Sequence, residues 1–328
     1  MTNLGYTKDL FILPFDHRSS FLKKMFASSP GAAPEGSAQR GGPPARREIG
    51  GRKPTDEEIE RVKKAKEIIY QGFKKSLSAG LPKESSAILV DEQFGDELLR
   101  DAHENGFIII LTTEKSGQKE FAFEYGEEFD QHIKKYNPTF VKALVQYNPE
   151  GEKELNARQR EKLSELTRFS HENGYKLLIE PLIPGTIEQL AKFGGDPDRY
   201  DLELRPFLTL RMIKEMQDGG VDPDVWKLEG MTKREDYQMA VQQAKADGRD
   251  NVGIVILGRA ADASAVEHWL KVGAKVPGII GFAIGRTIFW DPITEFEQGK
   301  INEDETPEVI SKRFLHYYHI FIESRQGL

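Results

Sequence analysis

Two lysines sit inside apolar runs that read as buried strands: Lys142 in "FVKALVQY" (140–147) and Lys227 in "DVWKLEG" (224–230). Alternate residues of a strand face opposite ways, so Trp226 and Leu228 share one face while Lys227 and Glu229 share the other. A free lysine, with a pKa of about 10.4, is a poor nucleophile at neutral pH. Desolvation and a neighbouring cation both lower that value, and Lys142 near Lys227 would supply the second cation. A neutral amine attacks a ketone, and the resulting iminium draws electrons from the adjacent carbon–carbon bond. Carboxylates such as Glu180 and Asp16 can move the protons. This set of parts suits a Schiff-base aldolase, whose covalent lysine makes a cofactor or metal unnecessary.

Such groups meet only if the chain brings strand ends together. Apolar runs recur near 10–16, 86–93, 107–114, 140–147, 175–182, 224–230, 252–259 and 278–286. Segments of helical periodicity fall between them, among them 55–79, 153–173, 200–218 and 232–246, and the amphipathic "FLHYYHIFIE" supplies the last helix. Thr55 with Glu58 three residues on is a helix-start signal. Strict alternation implies parallel pairing, and eight units predict an α/β fold of the (β/α)8 TIM-barrel type, with an open doubly wound sheet second. Neither GxGxxG after the first strand nor GxxxxGK[ST] is present.

In a barrel the C-terminal strand ends carry the chemistry. Here they offer Asp16, His17 and Arg18; Asp91, Glu92 and Gln93; Glu114 and Lys115; Gln146 and Tyr147; Glu180; Glu229; and the pairs Gly258-Arg259 and Gly285-Arg286. Singly, each is ordinary: a lysine in a strand is most often half of an ion pair. Together they are costly to bury, and such a cluster is better explained by function. The two Gly-Arg pairs, on adjacent strands, predict a phosphate site in which glycine admits backbone N–H groups and arginine grips the anion. A metal-dependent aldolase would need several histidine ligands. Only His17 stands at a strand end, so no metal site is expected.

Acid and base are interleaved at a net charge of −7, which argues against nucleic acid as a partner. The apolar "LFILPF" is broken by Asp16 and follows no basic segment, so neither a signal peptide nor a membrane span is expected. Cysteine is absent, which removes disulfides, thiol catalysis and thiolate metal sites. A cytoplasmic protein is expected, one (β/α)8 domain over 1–328, for which a homo-oligomer is open. Residues 28–54, rich in Gly, Pro, Ser and Arg, form a flexible insert after the first strand. It is either without a role or a lid whose arginines approach an anionic substrate.

The stretches "LPFDHRSSF", "LVDEQFG", "EKSGQKEFAFEYG", "VKALVQYNPEGEKELNARQ", "DVWKLEGM" and "GFAIGRTIFWDP", long and in order from about residue 8 to 322, resemble the 2-deoxy-5-keto-D-gluconate 6-phosphate aldolase family of myo-inositol catabolism. More distantly the chain is similar to tagatose-bisphosphate and sulfofructose-phosphate aldolases of class I. The resemblance implies Lys227 as the Schiff-base lysine, with Lys142, Glu180 and Asp16 as its catalytic companions and Arg286 as a phosphate ligand. It implies cleavage of the C3–C4 bond of a phosphorylated keto sugar acid to dihydroxyacetone phosphate and malonate semialdehyde. Gly285, Gly258, Arg259, Arg18, Glu114, Lys115 and Glu229 complete the expected substrate-binding set, with Arg18 or Arg259 for the substrate carboxylate. Two features depart from the family: no kinase domain precedes the barrel, and the insert at 28–54 is long. The rival readings are an aldolase for another ketose phosphate, a non-catalytic phosphosugar-binding regulator on the same barrel, and an isomerase or epimerase using Glu180 as base.

Overall fold

A computed structural model describes residues 4–22, 54–259 and 262–327. The insert expected at 28–54 lies, apart from Pro54, outside the described residues. Eight parallel strands close in chain order: β1 (Leu10–Pro14), β2 (Ser86–Val90), β3 (Ile108–Thr112), β4 (Phe140–Gln146), β5 (Lys176–Leu182), β6 (Val225–Glu229), β7 (Gly253–Leu257) and β8 (Ile279–Ala283). β1 pairs with both β2 and β8, so the sheet has no edge. This is the (β/α)8 barrel that the rhythm of the sequence predicts.

The strands are short, apolar and rich in β-branched residues, which suits a sheet buried on both faces. One face of each strand points outward beneath the helices: Phe11, Ile88, Val141, Ile179, Trp226 and Phe282 join the large cluster that the helices cover. The opposite face fills the lumen, where Leu10, Ile12, Leu89, Phe140, Leu178 and Val255 form a separate apolar plug. The seam between β8 and β1 depends on glycine. A Cβ on Gly281 would stand 2.0 Å from the Leu10 carbonyl oxygen, and one on Gly285 would stand 2.3 Å from that of Pro14.

Helices follow the strands as expected. α1 (Asp56–Ser78) begins with a capping box in which Thr55 accepts from the Glu58 N–H and Glu58 from the Thr55 N–H. α2 (Glu92–Glu104) is capped by Asp91, α3 is Phe129–Tyr136, and α4 spans Lys153–Glu172. After β5 the chain makes α5 (Ile187–Lys192) and α6 (Pro197–Glu203) before α7 (Arg205–Asp218). α8 (Arg234–Ala244), α9 (Ala263–Gly273), α10 (Arg286–Glu297) and α11 (Glu305–Gln326) complete the ring. None of the described helices is long and apolar enough to cross a membrane.

Two charged groups of the frame are structural. Asp224, just before β6, accepts hydrogen bonds from the N–H groups of Gly5 and Leu177 and from Lys176, at the N-terminal end of the barrel. Asp91 binds the fully buried ammonium of Lys66, which lies over the rings of Phe21 and Phe94. Burial pushes the Lys66 ammonium below its usual range, and Asp91 opposes that. Removing Asp91 therefore leaves a buried charge uncompensated: Asp91→Ala should lower unfolding free energy by about 3–5 kcal/mol, read from urea denaturation at neutral pH.

Candidate active site

Period two carries the lumen from apolar to charged. Phe140 is followed on its face by Lys142, Leu178 by Glu180, Val225 by Lys227, and Ile110 by Thr112 and then Glu114. In register, Lys142 lies beside both Thr112 and Leu178. The charges thus form the first layer above the plug, at the C-terminal ends of the strands.

Lys142 is the centre of this layer. Its Nζ is 2.8 Å from Asp16 Oδ2, 2.5 Å from Glu114 Oε1 and 3.1 Å from Glu180 Oε2. Burial favours the neutral amine, but the three carboxylates outweigh it and hold Lys142 charged, well above the ordinary lysine range. Asp16 and Glu180 answer in kind. Burial alone would raise both, yet the two lysines keep each carboxyl below its usual range. Lys227 has one carboxylate partner, Glu180, whose Oε2 lies 2.8 Å from its Nζ. The same oxygen serves both lysines.

Above the layer opens a cavity of about 320 Å3. Asp16, Glu114, Glu180 and Lys227 line it, whereas Lys142 does not. The structure separates the two lysines, Lys142 enclosed beneath the floor and Lys227 opening on the cavity.

Of the residues expected to bind anions, Arg286 stands out. It is the first residue of α10, beside the N-cap Gly285, and it lines the cavity. No hydrogen bond or ion pair engages its guanidinium among the described residues, and burial pushes it below its ordinary value, with Glu180 and Asp16 drawing it back. Lys115 reaches the rim and is exposed. The other arginines are occupied. Arg18 donates to the Glu114 carbonyl and to Glu124, both at 2.5 Å. Arg259, at a φ of 51°, pairs with Asp201 and lies 2.8 Å from Glu229. Glu229 also accepts from the Ile183 N–H at 3.1 Å and lies outside the cavity lining, so it braces the β5–α5 connection. Gly258 lines the cavity, but its N–H is spent on the Ala283 carbonyl at 3.3 Å. Both Gly-Arg pairs line the cavity, but Arg259 is engaged by carboxylates whereas Arg286 has no ion pair among the described residues.

Tyr147 and Glu92, also at strand ends, face elsewhere. Tyr147 donates to Glu215 on the outside of the barrel, and Glu92 pairs with His132 and Lys135. Several lining residues fall outside the expected set, among them Ser19, Ser116, Gln146 and His17, the last two already visible in the sequence as strand-end residues. His17 lines the wall, and its Nδ1 is buried without a hydrogen-bond partner.

The sequence profile of a family described as "Uncharacterized protein conserved in bacteria (DUF2090)" matches residues 51–325, and the chain belongs to that family. No curated protein matches the sequence. Among solved structures, the chain is similar to fructose-bisphosphate aldolase from Plasmodium falciparum, determined with TRAP and a small-molecule inhibitor. The TM-score is 0.61 at 13% identity, covering 97% of this chain and 91% of the other. The likeness is one of fold.

Replacing Lys142 would leave Asp16 and Glu114 without their cation and Glu180 with Lys227 alone. In the native protein the depressed carboxyls contribute stability above the ordinary carboxylate range and lose it as pH falls through their lowered values. In Lys142→Met they rise above that range, so the penalty is full at neutral pH and eases as they take up protons. The expected cost is about 3–5 kcal/mol at pH 7 and clearly less at pH 5, measured against wild type by denaturant unfolding at both.

Proposed function

We propose that this DUF2090 member is a Schiff-base aldolase acting on a phosphorylated keto sugar acid, with 2-deoxy-5-keto-D-gluconate 6-phosphate as the substrate that the sequence resemblance favours. The observation that carries this reading is the asymmetry of the two lysines: Lys142 is enclosed by three carboxylates, while Lys227 opens on the cavity with one. Likeness in fold to a fructose-bisphosphate aldolase supports it.

In this reading the substrate phosphate lies on Arg286 and the start of α10, where the guanidinium and the helix N-terminus both favour an anion. The carboxylate at the far end points toward Lys115 at the rim. Lys227 Nζ, after yielding a proton to Glu180, attacks the C5 ketone. The carbinolamine then loses its hydroxyl as water, assisted by the proton on Glu180, and an iminium forms. Glu180, again a carboxylate, takes the proton of the C3 hydroxyl. The C3–C4 bond breaks, its electron pair enters the iminium, and malonate semialdehyde departs. The enamine left on Lys227 is protonated at C4, and water hydrolyses the iminium to release dihydroxyacetone phosphate. Lys142 remains an ammonium throughout, keeping Asp16 ionised and favouring the return of Glu180 to the carboxylate after each proton transfer. No cofactor enters.

Borohydride reduction in the presence of dihydroxyacetone phosphate should add the mass of the reduced adduct to Lys227, and Lys227→Ala should abolish it. An unmodified wild-type protein would overturn the mechanism. Glu180→Gln should lower the rate of triose phosphate release by about 10²–10⁴. Isomerisation or epimerisation of a keto sugar phosphate that survives Lys227→Ala would favour a base-only isomerase or epimerase instead.

A further inference from the structure

Leu144 and Leu182 are apolar residues of the lumen that join neither body of the core. Period two puts Leu144 on the face of Phe140 and Lys142, and Leu182 on the face of Leu178 and Glu180. Both line the cavity, and both are half-buried. Neither belongs to the cluster beneath the helices or to the plug. In register, Leu144 stands directly beside Glu180, and Leu182 is the next residue up the same face of β5. An apolar side chain left open on a cavity lined by ions gains nothing from water, and an apolar carbon of a ligand would cover it.

The order of the strands says which carbon that is. In the proposed reaction the phosphate lies on Arg286 after β8, the ketone on Lys227 of β6 and the C3 hydroxyl on Glu180 of β5, while the far carboxylate points to Lys115 after β3. Between β5 and β3 lies β4; between the C3 hydroxyl and the C1 carboxylate lies C2. The cavity-lining residue of β4 level with Glu180 is Leu144. The next polar side chain on that face of β4, Gln146, stands two residues nearer the rim. We propose that Leu144, together with Leu182, covers C2 of the substrate and selects a leaving aldehyde whose α-carbon bears no hydroxyl. A hydroxyl there would give up its water to face two leucines, whereas a methylene gives up none. This rests on the aldolase reading and deepens it. It separates a 2-deoxy keto sugar acid from ketose phosphates that carry a hydroxyl at that carbon.

Run toward condensation, the protein joins dihydroxyacetone phosphate to an aldehyde acceptor. Malonate semialdehyde and tartronate semialdehyde differ only in a hydroxyl on the α-carbon. Compared at equal, subsaturating free aldehyde, wild type should favour malonate semialdehyde by about 10- to 100-fold, the range in which an apolar pocket rejects an added hydroxyl. Leu144→Asn and Leu182→Asn, similar in size and able to hydrogen-bond, should each narrow that preference by about tenfold. Each preference is a ratio taken on one protein, so a loss in folding or in adduct formation cancels. Leu257→Asn alters a third cavity leucine, at the end of β7 between the strands of Lys227 and Arg286, and should leave the ratio as in wild type. Wild-type protein that treats the two acceptors alike or favours tartronate semialdehyde would overturn the role of the two leucines. So would a ratio unmoved in both Asn variants, one moved as far by Leu257→Asn, or an adduct on Lys227 that condenses with neither acceptor. Absence of any borohydride-trapped dihydroxyacetone phosphate adduct on wild-type Lys227 would overturn the aldolase reading itself.

Discussion

A buried ammonium needs compensating charge, and Lys142 takes it from β1, β3 and β5 at once. Asp16, Glu114 and Glu180 converge on one nitrogen that the apolar plug denies to water. That convergence fixes the rest of the barrel mouth. It keeps Asp16 and Glu180 ionised although both are buried, and it leaves Glu180 Oε2 placed to touch the second lysine. The energetic burden of such a cluster is considerable, since hydrophobes of the same volume would often stabilise a core more. A structural ion pair needs one carboxylate; three around one lysine, with a second lysine sharing an oxygen, make a poised site.

The barrel was legible because its signals are local. "LFILP", "SAILV" and "GIVIL" are short and apolar, each is followed by a polar helical stretch, and closure follows from their number and parallel order. Lys142 and Lys227 were legible for the converse reason, as charges inside apolar runs. The helical stretch expected over 200–218 is instead two helices that meet at Leu204, the first starting at Pro197, a division invisible to periodicity.

Partnership was not legible, because it depends on residues far apart in the chain. Gly258-Arg259 and Gly285-Arg286 read alike and both line the cavity, yet Arg259 is claimed by Asp201 and Glu229, while Arg286 has no ion pair among the described residues. Asp201 lies 58 positions before Arg259 and reaches it only because α6 folds over the barrel mouth. The difference between the two lysines likewise depends on Glu114 and Asp16, 28 and 126 positions from Lys142. His17 was visible as a strand-end histidine, but its neutrality arises from burial and from Arg286 on the far side of the chain.

The central claim is that Lys227 bonds to a ketone carbon, which requires that the ketone oxygen depart as water. Dihydroxyacetone phosphate labelled with ¹⁸O at the ketone, incubated with the protein, tests this directly by mass spectrometry. The account predicts that the label washes out into solvent with wild-type protein much faster than without protein, and not with Lys227→Ala. Retention of the label at the uncatalysed rate with wild-type protein would contradict it.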